Sequence, residues 1–443
     1  MRSKRKSRRQ FLKELSSQAV GLISLAYIVP SSTLGANRAV PPSDRIVMGF
    51  IGVGRMGGGH LRTFLGYEDV RIVAVCDPRE SSRQQASIRV NQHYADNGCA
   101  AYSDFRELIS RKDIDALLIA TPDHWHVLVA LEAARHGKDM YCEKPLGMSV
   151  AEDKALRDVV NRYGIVFQFG TQQRSDDRFR LACELARNER IGKLHTIMIG
   201  STIAPTCPNQ PPQPVPQGFD YDMWLGPAPW APYTRERCSP NWLFIHDYCL
   251  GCLGGAWGVH HIDIAQWAND ADDSGPIEIQ GTGVIPKDGL LDTVTTWQVE
   301  HTYANDVKMI HMDRGTALKR ATQFSLHAGV GVLFLGSEGW VFVCRELIEA
   351  EPKALLKASI GPNEIRLPRS NNHRRNFLDC VKTRQKTLCP IETAVRSDTI
   401  CHQDDIAIRL GRKLRWDPEK EQFINDDQAN RMLTRAMRSP WHL

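Results

Sequence analysis

The stretch Arg45–His60, RIVMGFIGVGRMGGGH, constrains this chain more than any other, because an apolar run there ends abruptly in closely spaced glycines. The pattern predicts a strand, a tight turn and a helix. Gly52, Gly54 and Gly57 hold the G-x-G-x-x-G spacing: the first permits the turn, the second lets a pyrophosphate approach the backbone, and the third packs the helix on its strand. The phosphate would meet the helix N-terminus, with Arg55 and Met56 in the same turn. A second apolar run, Val70–Cys76, ends at Asp77, twenty residues past Gly57, where a carboxylate that accepts ribose hydroxyls is expected. That carboxylate would repel a 2′-phosphate, so NAD is the expected cofactor, while Arg79 nearby is the residue that would favour NADP.

At 443 residues the chain is long for one hydrophobic core, and at least two domains are expected. Its net charge of +5 is concentrated in residues 1–39, which hold eight Lys/Arg and one Glu, so the rest carries a net charge of −2. Nothing in that balance points to nucleic acid. Ser7–Lys13, SRRQFLK, places Arg8 and Arg9 before the apolar run Ala19–Val29, which is too short to span a bilayer. The wording is similar to the twin-arginine export signal of bacteria, which implies the export machinery as a partner and a periplasmic location. Small residues near Ala36 and Ala39 form no clean A-x-A site, so cleavage and retention as an anchor both stay open.

The twelve cysteines include Cys76 and Cys142 at the ends of predicted buried strands, which suits free thiols better than a disulfide set. Cys249-Leu-Gly-Cys252 has no second pair at zinc spacing, and no metal is expected. From Ile46 to Phe169, strands at Ile46–Ile51, Val70–Cys76, Ala116–Ala120, Asp139–Cys142 and Val166–Phe169 alternate with helical stretches. That alternation predicts a doubly wound parallel sheet over residues 44–169. Ser149 and Glu152 form a capping box for a helix running to Tyr163.

Two loops leave the strand ends where ligands of open α/β sheets bind. In Ala120-Thr121-Pro122-Asp123-His124-Trp125-His126, one reading is helix capping by Thr121 and Asp123 with exposed histidines; the other is cofactor contact through Thr121, Pro122 and His124. In Tyr141-Cys142-Glu143-Lys144-Pro145, a lysine at a buried strand end is placed to meet whatever lies over the nicotinamide.

With GVGRMG, ATPDHWH, CEKPLG, GTQQRS, GVHHIDIAQW and the tail LGRKLRWDPEKEQF, the sequence resembles the Gfo/Idh/MocA oxidoreductases over nearly everything after the signal. The resemblance implies that Lys144 is the active-site lysine at the reacting hydroxyl, that Glu143 contributes on the cofactor side, and that His260 is the catalytic histidine with His261 beside it. It also places Gln172 and Arg174 towards substrate and implies a homo-oligomer, a dimer or tetramer. The family commonly has an aspartate four residues before that histidine. This chain has Ala256, and the candidates to replace the acid are Asp247 and Asp263.

Beyond Phe169 the pattern changes. A helix at Arg178–Asn188, a strand at His195–Thr202 and alternating runs between Ile277 and Cys344 predict an α+β domain over residues 170–443 with an open, mainly antiparallel sheet. Trp224, Trp230, Tyr233 and Trp242 follow a stiff proline-rich loop and serve either as core or as stacking surfaces for sugar rings. In the helix GVHHIDIAQWA, one face is expected to pack and the other to present His260 or His261. The expected activity is hydride transfer between nicotinamide and a hydroxyl-bearing carbon of a sugar, glycoside or cyclitol. Two alternatives remain: a glycosidase or lyase acting by transient oxidation and elimination, and a non-catalytic sugar- or NAD-binding protein.

Overall fold

The computed structural model describes residues 40–443; the export segment expected over residues 1–39 lies outside them. Six parallel strands, β1 (Ile46–Ile51), β2 (Val70–Cys76), β3 (Ala100–Tyr102), β4 (Ala116–Ile119), β5 (Asp139–Cys142) and β6 (Phe167–Phe169), form a sheet in the order β3-β2-β1-β4-β5-β6. This is the doubly wound fold expected. Its one unanticipated strand, β3, is three residues long and carries no apolar alternation. The reversal of strand order falls between β1 and β4, where ligands of such sheets bind. Parallel pairing of β1 and β2, from Ile46 opposite Val70 to Ile51 opposite Cys76, brings Asp77 beside the turn at Gly52. Ser149 caps its helix as expected, accepting from the Glu152 amide at 3.3 Å.

The second sheet has nine strands: β7 (Leu194–Ser201), β8 (Glu278–Val284), β9 (Thr296–Thr302), β10 (Lys308–Asp313), β11 (Gly331–Gly336), β12 (Trp340–Val343), β13 (Ile348–Glu351), β14 (Leu414–Asp417) and β15 (Gln422–Phe423). Their order is β13-β12-β11-β7-β10-β9-β8-β14-β15, antiparallel except where β7 meets β10. The helix Gly258–Ala268 packs against this sheet and two helices, and all eleven of its residues are buried. The expectation of one presented histidine face fails there, because neighbours cover the helix on every side.

The helix Ile391–Leu410 packs on both the helix Val150–Tyr163 and β8, and it is unusual in burying polar residues at nearly every turn. Asp398 Oδ2 accepts from the amides of Leu146 (3.1 Å) and Gly147 (3.0 Å), pinning the loop after Lys144. Asp404 takes His301 Nε2 on one oxygen and His311 Nδ1 on the other, and His311 Nε2 meets Ser201 Oγ at 2.9 Å. His402 faces Asp153 at 3.4 Å and Asp398 at 3.6 Å, all three buried.

Burial alone would lower His402, but the hydrogen-bonding carboxylates of Asp153 and Asp398 raise it to about 10. Burial, reinforced by the charge of Asp398, likewise raises Asp153. His402 holds its proton more tightly folded than unfolded, so its stabilisation is complete below the ordinary histidine value of 6.5 and is lost as pH rises from there through about 10; that of Asp153 already begins to be lost above the ordinary carboxyl value of 3.8. The melting temperature is therefore expected to fall between pH 6.5 and 10, and the Asp153→Asn/His402→Gln double variant to lose much of that slope, as thermal denaturation followed by circular dichroism would register.

Candidate active site

A cavity of about 520 Å³ opens at the C-terminal ends of β1, β2, β4 and β5, walled on its far side by the loop around Trp224 and Trp242. The three glycines divide the work at its phosphate end. Gly52 has φ +81°, and a Cβ there would lie 2.4 Å from Ala120 O. A Cβ on Gly57 would lie 1.8 Å from Gly52 O, whereas one on Gly54 would meet nothing within 4 Å, leaving the backbone open to a ligand. The helix Arg55–Leu65 begins there with no side-chain cap, so its first amides are available to a phosphate. Arg55 and Met56 line the mouth.

Asp77 sits on the wall with Oδ2 accepting from Val53 N (3.1 Å) and Oδ1 from Arg79 N (2.9 Å). Burial pushes its carboxyl up, and those two amides hold it back. Arg79 is already committed: its guanidinium stacks 3.8 Å from the Phe219 ring centre and donates to Cys238 O at 3.1 Å. A 2′-phosphate would have to draw it from both partners. The residues therefore suit NAD.

Thr121, Pro122, Glu143 and Lys144 line the cavity as expected. His124 does not. It is buried with Nε2 3.0 Å from Trp224 O, and burial lowers it to about 3. Capping fails as well, since the turn Asp123–Trp125 has no side-chain cap and Thr121 Oγ1 is unpartnered among the described residues. His126 is on the wall, but its ring bridges the two loops, with Nδ1 2.7 Å from Pro145 O and Nε2 3.0 Å from Thr121 O.

Glu143 is the end of a buried relay. Arg374 Nε donates to His60 Nδ1 (2.8 Å), which leaves Nε2–H to donate to Glu143 Oε1 (2.7 Å). Burial would raise Glu143, but His60 and the charge of Lys144 bring it down to about 2. Lys144 Nζ donates to Gly255 O at 2.7 Å, fixing the ammonium at the boundary between the two domains' walls. His60 and Arg374 carry no local motif, so sequence reasoning missed both.

The histidine pair lies behind the wall. His260 is buried, its Nδ1 has no partner among the described residues, and burial together with Lys144 and Arg345 keeps the ring well below its ordinary value, hence neutral. His261 Nδ1 meets Gly200 O at 3.1 Å, tying the helix to β7 rather than facing substrate. Neither candidate acid supplies the missing carboxylate. Asp263 is held by Arg174 through Nε (2.9 Å) and Nη2 (2.8 Å) and by Ser397, and Asp247 is exposed and off the wall. The same pairing, completed by Asp272 at 2.7 Å, makes Arg174 structural. Gln172 is half-buried and also off the wall; its neighbour Gln173, with the amide oriented to satisfy both partners, donates to His260 O and accepts from Arg345. Of the aromatics, Trp224 and Trp242 line the cavity, while Tyr233 is core and Trp230 is exposed.

All twelve cysteines are free thiols, and all but Cys207 and Cys238 are buried. The Cys249/Cys252 pair is split: Cys249 faces Asp123, and Cys252 accepts from Thr202 Oγ1 at 3.2 Å.

Residues 46–171 match the Gfo/Idh/MocA family model described as the oxidoreductase family's NAD-binding Rossmann fold, and residues 206–443 match its C-terminal alpha/beta domain. Similar curated proteins include an uncharacterized oxidoreductase, YrbE, of Bacillus subtilis (strain 168), 31% identical over 40% of this chain and 48% of that protein. A glycosyl hydrolase family 109 protein of Shewanella sp. (strain W3-18-1) is 30% identical over 35% of this chain and 37% of that protein. The aligned parts thus span less than half of these relatives. The fold is that of scyllo-inositol dehydrogenase from Lactobacillus casei, solved with NAD(H) and scyllo-inositol (TM-score 0.58, 16% identity, 84% of this chain and 99% of that one). It is equally that of the WlbA dehydrogenase from Bordetella pertussis, solved with NADH and UDP-GlcNAcA (TM-score 0.61, 14% identity, 84% and 99%).

Gly57→Ala is expected to abolish NADH binding, since its methyl cannot coexist with Gly52 O. Asp77→Ala should weaken NADH about tenfold or more, the loss of a charged hydrogen-bond acceptor, and should narrow the preference over NADPH. Fluorescence titration with both nucleotides measures each.

Proposed function

Because the chain belongs to the Gfo/Idh/MocA oxidoreductase family, with both of its domains present, we propose that it oxidises a hydroxyl-bearing carbon of a sugar, glycoside or cyclitol. Lys144 carries this reading: it sits at the end of β5 on the wall of the cavity that also holds Asp77, with Trp224 and Trp242 opposite. The nicotinamide, when bound, supplies the hydride acceptor. Gly52, Gly54 and Asp77 would hold the nucleotide, and the two tryptophans offer flat apolar surfaces to a sugar or cyclitol ring. Lys144 Nζ, anchored by one hydrogen on Gly255 O and making no other hydrogen bond among the described residues, turns the rest to the substrate oxygen, where a donor helps most as negative charge develops. Glu143, ionised and tied to His60, balances that ammonium without competing for a proton.

A second reading draws on the relatives named glycosyl hydrolase family 109. In it, oxidation at one carbon acidifies its neighbour, a glycosidic group leaves, and the hydride returns with no net turnover of NAD. The purified chain, incubated with NAD and a panel of sugars, cyclitols and aryl glycosides, is expected to form NADH. Aglycone release without NADH would replace the first reading by the second, and neither product would overturn both. Lys144→Ala is expected to lower turnover by about two orders of magnitude with NADH affinity unchanged.

Export completes the proposal, motivated by Arg8 and Arg9 ahead of the run Ala19–Val29. Replacing both arginines by lysine is expected to leave the protein in the cytoplasm of an expressing bacterium, read by fractionation; an undiminished periplasmic yield would count against the twin-arginine route. A dimer or tetramer is the assembly that family membership suggests, to be read from the mass in solution.

A further inference from the structure

Oxidising an alcohol releases a proton as well as a hydride, and the cavity wall restricts which group can take it. Asp77 lies with the phosphate-binding turn, held by the amides of Val53 and Arg79. Glu143 is bound to His60 and ionised down to about 2, too weak a base to hold a proton near neutrality. Both ring nitrogens of His126 meet carbonyl oxygens. His260 is not on the wall at all.

One carboxyl remains. Asp123 lines the cavity although it is only 2% exposed, and its Oδ2 has no hydrogen-bond partner among the described residues. That oxygen packs against Gly255, where a Cβ would lie 2.3 Å from it. Gly255 is also the residue whose carbonyl anchors Lys144 Nζ, so Asp123 and Lys144 meet on one backbone unit, immediately before Ala256 on the same wall. We propose that Asp123 is the positioning carboxylate of this site and its proton acceptor by way of Lys144, filling the role left vacant at Ala256.

The balance is simple. Lys144 Nζ and the Asp123 carboxylate make no ion pair within 4.0 Å, so the hydroxyl proton passes to Lys144 as one of Lys144's own passes through one bridging water to Asp123; the carbinol C–H bond breaks and its hydride leaves to the nicotinamide. Lys144 ends as it began, an ammonium, and Asp123 ends protonated. The inference thus rests on the dehydrogenase reading for its substrate, but Asp123's proton equilibrium is a property of the chain alone. The groups that face Asp123 are Lys144 and the Cys249 thiol, which favour its charged form, and Asp398 and Glu143, which oppose it. Burial outweighs them and raises the carboxyl to about 7, the range in which a group can both accept and release a proton at neutral pH.

Asp123→Asn keeps the shape and removes the acceptor. The expected result is a fall in kcat of about a hundredfold, loss of the acidic limb of the pH–rate profile, and unchanged KM and NADH affinity. Ala256→Asp added to that variant should restore part of the rate. Should Asp123→Asn fail to melt cooperatively, Asp123→Glu takes its place, expected to keep the limb with a displaced midpoint. Infrared difference spectra of the full chain across neutral pH provide a readout without turnover: a buried carboxyl band that titrates in the native protein and is missing from Asp123→Asn supports the proposal. Were that band present in a protein that reduces no NAD with any alcohol, the dehydrogenase reading would fail and Asp123 would remain the site's acid–base group. A native band unaffected by Asp123→Asn, or a variant that keeps the native pH profile and rate, overturns the proposal.

Discussion

The geometry of the site depends on two hydrogen bonds made far from any substrate. Asp398, from a helix near the end of the chain, accepts the amides of Leu146 and Gly147, and so holds the loop that carries Lys144. Amide bonds to a buried carboxylate are worth about 1.5–3 kcal/mol each, enough to keep the loop in one conformation against the freedom of a few backbone torsions. The helix Ile391–Leu410 thereby does for the strand end of β5 what Gly57 does for the turn after β1: it lets backbone from distant segments approach closely and stay there. Its buried polar residues follow from that task. Asp398 faces the loop, Asp404 faces His301 and His311 of the second sheet, and His402 closes the gap to Asp153. A wholly apolar helix in this position would pack as well and orient nothing.

Around Lys144 two carboxyls are driven apart by their surroundings. Both are buried, but Glu143 receives a hydrogen bond from His60, itself held in one tautomer by Arg374, and stays ionised. Asp123 has a thiol for a partner and an oxygen facing a glycine, and sits near neutrality. Carboxyls separated in this way can take separate roles, one as fixed charge and one as proton carrier.

What the sequence made legible were the features whose partners are close along the chain. The glycine spacing, Asp77 at the end of the next strand, Lys144 before a proline and the Ser149 cap are local signals with local geometry, and the structure places each where expected. Much of the second sheet also follows from alternation within single strands, but β13, β14 and β15 lie beyond the alternating runs between Ile277 and Cys344 and were not legible. The errors share a cause. The motifs of His124, His261 and Arg174 suit ligand contact, but their orientations are decided by Trp224 O, Gly200 O, and the pair Asp263 and Asp272, contacts across 61 to 100 residues. Asp123 has the type and place of a cap, but the turn it opens has no side-chain cap and its Oδ2 packs instead against Gly255 from another domain. Asp398 and His402 had no motif at all.

The alanine at 256 is consistent with this electrostatic arrangement. An aspartate there would be a third acid beside one ammonium, joining Glu143, which is already ionised, and Asp123. Like charges about 6 Å apart in a medium of effective dielectric about 20 repel by roughly 3 kcal/mol, equivalent to about two pKa units. That repulsion would push Asp123 well above neutrality and leave it protonated, unable to accept anything. With Ala256, the charge of Lys144 is offset only through space by Glu143, whose own partner is His60, and Asp123 is free to change charge. His260, buried and neutral beside the same lysine, then adds no charge of its own. The departure at Ala256 and the burial of His260 are thus two sides of one balance, in which the acid has moved from the helix approach to the loop after β4.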